Sequence, residues 1–202
     1  LDSTNKQSDV ALVFRDVTER RLAEQKLRKL KDELERMAHT DVLTSLFNRR
    51  YFMQRLSEEF ERVHRHGNAL SVLIFDLDHF KNINDTFGHD IGDHVLESVA
   101  TVTRQIKRVA DVACRLGGEE FALLLPETEK AGAIKVAQRL RQGIEEFPYS
   151  KRIGKDVNVT ASFGVATVGR RMNEPSVILQ VADRALYKAK NGGRNMICST
   201  EE

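Results

Sequence analysis

Leu27, Leu30, Leu34 and Met37 stand at intervals of three, four and three within an otherwise charged stretch, the a/d spacing of a helix with one narrow apolar seam. The pattern predicts a helix over residues 18–38. So narrow a stripe suits a two-stranded coiled coil better than a helix lying on a globular core, which carries a wider apolar face; packing against the chain's own domain is the alternative. Ahead of it, residues 1–9 are polar and 10–14 (VALVF) have the make-up of a short strand, while Asp16 and Glu19 form an Asp-led capping box that would start the helix. Beyond residue 40 the periodicities alternate. They predict a helix over 48–66, a strand to Phe75, helical stretches through Ile106, a hairpin through Leu125 and a helix over 128–146, then a strand over 157–168, a helix over 175–190 and a last strand near 195–199. Helices interleaved with a hairpin-containing sheet imply an α+β sandwich with a mainly antiparallel sheet.

Length and charge narrow the picture. The 202 residues allow one full core with about forty residues over, and a start at Leu1 rather than Met is expected of a piece cut from a longer protein. Lys and Arg total 32 against 30 Asp and Glu, a net of +2, which lacks the basic field that nonspecific nucleic-acid binding needs. No stretch approaches the roughly 18 apolar residues that span a bilayer, and no signal-peptide pattern opens the sequence. Cys114 and Cys198 lie in apolar strand-like runs without Cys-x-x-Cys spacing, so they read as small packed hydrophobes rather than zinc ligands. A reducing cytoplasm is the compartment these features suit.

Candidate chemistry concentrates at two acidic strand ends. Glu119 and Glu120 follow Gly117 and Gly118 and lead into an apolar run (FALLL); a Gly-Gly dipeptide is a strong hairpin signal because both turn positions tolerate positive φ. The run 70–75 (LSVLIF) ends in Asp76, Leu77 and Asp78. Carboxylates at the ends of two strands suggest one divalent-metal site, since hard cations take oxygen ligands.

These residues belong to a longer pattern. The stretches 41–50 (DVLTSLFNRR), 75–81 (FDLDHFK), 84–93 (NDTFGHDIGD), 108–111 (RVAD), 115–121 (RLGGEEF), 185–190 (ALYKAK) and 193–195 (GRN) together resemble the GGDEF-domain diguanylate cyclases, in the GGEEF spelling. Ser45 and Phe47 depart from that pattern, where the family often has Gly and Pro, and touch only a connecting loop. The strand at 10–14 running into Asp16, Thr18 and Glu19 resembles the exit of a PAS sensory domain.

The resemblance implies a palm-like nucleotidyl-cyclase fold and condensation of two GTP into cyclic di-GMP. It implies a Mg²⁺ site, with Mn²⁺ as a substitute, formed by Asp76, the Leu77 carbonyl and Glu119. Glu119 is then the proton acceptor, with Asp78 and Glu120 assisting, and Lys81 stabilises transition-state charge. Asn84 and Asp93 match the guanine-reading pair, a carboxylate accepting from N1–H and N2–H₂; read alone they could cap helices around the 87–89 turn. His89 lines the nucleotide pocket, His79 is structural, and Lys190 and Arg194 grip the outer phosphates. Amides at the helix start near Phe80 to Asn82 add anion donors. Arg108 and Asp111 match an inhibitory product site, with Arg139 as an additional contact; a plain salt bridge between the first two is the alternative.

The chain therefore divides into a sensor remnant over 1–17, a coiled-coil signalling helix over 18–40 and a catalytic domain over 41–202. A homodimer through both the coiled coil and the catalytic domains is expected, because one domain holds one GTP. Nucleic acid is no expected partner, and no membrane segment is expected in this piece, although an anchor upstream is compatible with it. Two other classes compete: a non-catalytic receptor for GTP or cyclic di-GMP, and a cyclase making a different nucleotide, which Asn84 and Asp93 disfavour.

Overall fold

The computed structural model describes residues 37–154, 157–169 and 172–199, with Arg21, Glu24, Lys26, Leu27 and Lys31 ahead of them. Two compact units divide the chain, Leu1–Ala38 and His39–Glu202. In the first, the described residues are helical, and Leu27 and Met37 are exposed. Leu30, Leu34 and the expected 10–14 strand, with the rest of the sensor remnant, lie outside the described residues.

The second unit is an α+β sandwich around one six-stranded sheet of order β1-β3-β4-β2-β5-β6. In chain order its elements are β1 (Phe47–Asn48), α1 (Arg49–His66), β2 (Leu70–Leu77), α2 (Phe80–Phe87), α3 (His89–Ile106), β3 (Val112–Gly117), β4 (Glu120–Pro126), α4 (Lys130–Glu145), α5 (Tyr149–Ile153), β5 (Ala161–Thr167), α6 (Pro175–Asn191) and β6 (Ile197–Ser199). The inner pairings β3–β4, β4–β2 and β2–β5 are antiparallel, and the outer ones, β1–β3 and β5–β6, are parallel. β2 takes the centre because all eight of its residues are buried, as a near-continuous apolar run covered on both faces must be.

Alternation along the strands sorts two cores. Leu73, Phe75, Leu77, Phe121, Leu123, Phe163 and Val165 face α3 and α4, through Val95, Val99, Ala137 and Leu140. Val72, Ile74, Ala122, Leu124 and Cys114 face α1 and α6, through Phe52, Leu56, Ile178 and Ala182. This is the period of two expected of pleated strands. Burial pushes the Cys114 thiol up to about 12, in keeping with a packed, inert cysteine. On the first face the Phe75 ring stacks on Phe121 at 5.2 Å and on Phe163 at 4.8 Å, tying three strands together directly behind Asp76.

Three expectations shift. The hairpin turn is Gly118–Glu119 rather than Gly117–Gly118, because Gly117 already pairs with Glu120 across a bulge after Arg115. Gly118 supplies the left-handed position, at φ +53°, and Glu119 sits at the tip. The strand expected over 157–168 is only Ala161–Thr167, since Thr160 gives its carbonyl to the Asp78 amide and its hydroxyl to the Asp78 carboxylate. β1 and α5, two and five residues long, are too short to leave a periodic signal.

Candidate functional site

Asp76 closes the register of β2 with β4, opposite Glu120, and stands opposite Ser162 of β5. One residue on, the Leu77 amide donates to the Glu119 carbonyl at 3.4 Å. The Gly118–Glu119 turn is thereby held against the end of the central strand. Asp76, Leu77, Lys81, Glu119, Lys190 and Arg194 all line one open cleft of about 240 Å³. Four elements converge there although their residues lie far apart in the chain.

Asp76 is 6 % exposed. Burial pushes its carboxyl above the usual carboxylate range, Lys190 pulls it back, and the negative charges of Glu119 and Glu120 push it up again. The Lys190 ammonium lies 2.9 Å from Asp76 Oδ2. That contact depends on how closely α6 approaches the sheet: a Cβ on Gly164 of β5 would run into the Ala182 carbonyl and the Leu186 amide of α6. Glycine at 164 therefore sets the height of the helix that carries Lys190.

The donor set fits a hard dication. Two carboxylates, of Asp76 and Glu119, and the Leu77 carbonyl offer oxygen alone, and a dication would relieve the repulsion that raises the Asp76 carboxyl. Among the described residues no group of three His, Cys, Asp or Glu side chains converges as a closed metal cage. An incomplete protein set is what suits Mg²⁺, which retains waters and substrate phosphates.

Asp78, buried in the wall of the same cleft, is held by structural hydrogen bonds. Its carboxylate accepts from Ser162 Oγ at 2.6 Å, Thr160 Oγ1 at 2.8 Å and the Asn195 amide at 3.0 Å. His79 turns the chain from β2 into α2 with φ +56°, a structural position. The first turn of α2 lines the cleft at Phe80 and Lys81, and no side chain caps it, so its amide donors are of the kind that bind anions. Glu120 is exposed at the start of β4.

Asn84, His89 and Asp93 do not line that cleft; they lie on the α2–α3 pair beside it. Gly88 ends α2 and begins α3 without a side-chain cap, so neither Asn84 nor Asp93 is a capping residue. Asn84 Oδ1 is buried without a hydrogen-bond partner, and a Cβ on Gly92 would collide with it. A buried orphan polar atom costs about 1–3 kcal/mol. His89 and Asp93 are exposed on the first turns of α3.

Arg108 and Asp111 lie in the turn between α3 and β3. The Asp111 carboxylate accepts from the Arg108 backbone amide at 2.7 Å, which closes the turn and leaves the Arg108 side chain exposed. No guanidinium–carboxylate bridge joins the two among the described residues. Arg139 is exposed on α4.

Two features escaped the sequence. Arg115 donates from Nε to the Gly118 carbonyl at 2.9 Å and lies 3.3 Å from Asp41, bracing the turn that carries Glu119. Asn195 is held by Asp78, Arg141 and Glu145, residues with no local pattern to betray them.

Comparison with known proteins gives a consistent result. Residues 38–196 match the family model described as "Diguanylate cyclase, GGDEF domain". The response regulator PleD of Caulobacter vibrioides is 41% identical over 172 residues, covering 85% of this chain and 38% of PleD. Diguanylate cyclase A of Treponema denticola is 42% identical over 168 residues, covering 82% of this chain and 45% of that protein. The chain thus spans less than half the length of either relative. The crystal structure of the coiled coil and GGDEF domain of DgcB from Caulobacter crescentus, in complex with c-di-GMP, superposes with a TM-score of 0.82 at 30% identity, over 92% of this chain and 100% of that one.

Proposed function

The chain belongs to the diguanylate cyclase, GGDEF domain family, and from that premise we propose that it condenses two GTP into cyclic di-GMP and two pyrophosphates. The observation that carries the reading is the convergence of Asp76, the Leu77 carbonyl, Glu119, Lys81, Lys190 and Arg194 on one cleft. Acids and cations at such range suit a metal-bound triphosphate. Guanine recognition is assigned to the α2–α3 pair, where the unpartnered Asn84 Oδ1 awaits a donor and Asp93 offers a carboxylate for N1–H and N2–H₂. His89 flanks them.

In the reaction the 3′-hydroxyl of one GTP attacks the α-phosphorus of the other. An O–P bond forms, the bond to the bridging oxygen of the β-phosphate breaks, and pyrophosphate leaves. Glu119 at the turn tip takes the hydroxyl proton, while Lys81, at the uncapped start of α2, faces the charge that builds on the phosphoryl oxygens. Lys190 and Arg194 hold the outer phosphates. Magnesium bound by Asp76, Glu119 and the Leu77 carbonyl would neutralise triphosphate charge and acidify the attacking hydroxyl.

Because one cleft serves one nucleotide, two copies must face each other, and a coiled coil formed by the segment ahead of the 41–202 domain would pair them. Arg108 and Asp111, with Arg139, form the proposed feedback site for the product. Among the described residues no helix is long and apolar enough to cross a membrane.

The test is mass spectrometry of products after a verified dimer is incubated with Mg²⁺ and either GTP or ATP. Cyclic di-GMP from GTP alone is the expected result. GTP binding without a dinucleotide would establish a receptor instead, and a product from ATP would overturn the guanine assignment.

A further inference from the structure

Arg194 and Asn195 leave the end of α6 with consecutive left-handed backbones, φ +63° and +45°. Non-glycine residues persist there only where the surroundings over-determine them. Asn195 has such surroundings. Its amide donates to Asp78 Oδ2 at 3.0 Å, and Asp78 is itself fixed by Thr160 and Ser162. Its carboxamide oxygen accepts from Arg141 Nη1 at 2.9 Å, its Nδ2 donates to Glu145 Oε1 at 2.9 Å, and Arg141 and Glu145 pair with each other at 2.7 Å.

The result is a closed ring of polar contacts in which a carbonyl meets the cation and an N–H meets the carboxylate. Only a carboxamide satisfies both partners. An aspartate of the same shape would turn an oxygen toward Glu145. Surface ion pairs of this kind add little stability, so the ring's effect lies in which conformation it selects. Glycines 192 and 193 precede the turn, with Gly193 at φ +118°; the Arg194 amide stays tied to the Ala189 carbonyl at 3.1 Å, so the ring acts on the conformation that follows that amide.

We propose that Asn195 is a positioning residue for triphosphate recognition. Clamped between Asp78 at the end of β2 and the Arg141–Glu145 pair of α4, it holds the one backbone conformation that keeps Arg194 in the cleft. Helix α4 becomes part of the phosphate site although none of its residues lines it. The inference rests on the reading of the cleft as the GTP site.

The ring's polarity supplies the test. Calorimetric titration with 3′-deoxyGTP, which cannot react, would compare the wild type with Asn195→Asp, Glu145→Gln and the double variant in the presence of Mg²⁺. Asn195→Asp should weaken binding about tenfold or more, the effect of losing one charged hydrogen bond. The double variant should recover it, because the glutamine amide can then donate to the new carboxylate while its oxygen keeps Arg141. In steady state the KM for GTP should rise in Asn195→Asp and return in the double variant, with kcat at saturation held within about twofold, the signature of lost uniform binding. Unchanged binding in Asn195→Asp, weakening without rescue, or a fall in kcat at constant KM overturns the proposal. A wild type that fails to bind 3′-deoxyGTP overturns the nucleotide reading and this inference with it, whereas a binding wild type with an indifferent Asn195→Asp overturns this inference alone.

Discussion

Asp76→Asn isolates the electrostatic tension of the cleft from its chemistry. The substitution keeps the shape of a nearly buried side chain and removes its charge. Two effects oppose each other. Losing the ionic hydrogen bond to Lys190, 2.9 Å long, sacrifices about 1.5–3 kcal/mol. Against that, the charge no longer has to be buried beside Glu119 and Glu120, and the raised Asp76 carboxyl means that these unfavourable influences outweigh Lys190. Without divalent metal at pH 7.5, the variant should therefore be at least as stable as the wild type, with an equal or higher Tm. A carboxyl whose folded pKa lies above its unfolded value binds more protons in the folded state. Wild-type stability from this group is thus full below the unfolded value and is lost as pH rises through the folded one. The variant's advantage should shrink between pH 7.5 and pH 4.5. Urea melts of both proteins at the two pH values measure it, and a variant less stable by more than about 1 kcal/mol at pH 7.5, or an advantage indifferent to pH, would refute the reasoning. Turnover of the same variant should fall by more than the about 10–100-fold typical of losing an outer-shell metal partner.

Glu119→Gln should abolish turnover while circular dichroism and product binding at Arg108 stay at wild-type levels; retained turnover removes Glu119 from proton transfer. Arg108→Ala should leave turnover intact and weaken inhibition by added cyclic di-GMP, and unchanged inhibition would count against the proposed site. Gly164→Ala forces a methyl group against the backbone of α6, so urea melts should show a loss of about 1–3 kcal/mol. As Lys190 moves with that helix, the KM for GTP should rise, and a wild-type KM would mean that the helix height is not what positions Lys190.

Elements governed by local periodicity could be read directly. The 3.6-residue pattern over 48–66 became α1, with Asn48 accepting from the Tyr51 amide as its cap, and Pro175 opened α6 where a proline should. The approach of Asp76 to Glu119 was also legible, since acids at the ends of two apolar runs meet once the runs pair antiparallel. The turn was misjudged by one residue because a bulge after Arg115 changes the register, and bulges follow from packing rather than composition. Contacts between distant residues left no trace at all. Nothing local distinguishes Glu145 or Arg141 from ordinary surface residues of a helix, yet both close on Asn195 some fifty residues later. Asp78 looked like a spare acid beside Asp76 until the structure placed Ser162 and Thr160 on it.

The distance between the two proposed ligand sites follows from the same elements and constrains how one could influence the other. β3 starts one residue after Asp111 and ends one residue before the Gly118–Glu119 turn. Its six residues span about 20 Å. Helix α3 runs in parallel service, from His89 and Asp93 at the nucleotide end to Ile106 near Arg108, about 27 Å for eighteen residues. A ligand held by Arg108 and Asp111 therefore lies a full strand length from Glu119, too far to occupy the same cleft of the same domain. Competition for the GTP site within one copy is ruled out on geometry. The proposed feedback from that turn would work either by shifting β3, whose far end carries the Glu119 turn, or by fixing the domain so that its cleft cannot meet the cleft of a second copy. The second route lowers kcat while sparing the KM for GTP, whereas the first, by moving Glu119 in the cleft, changes both.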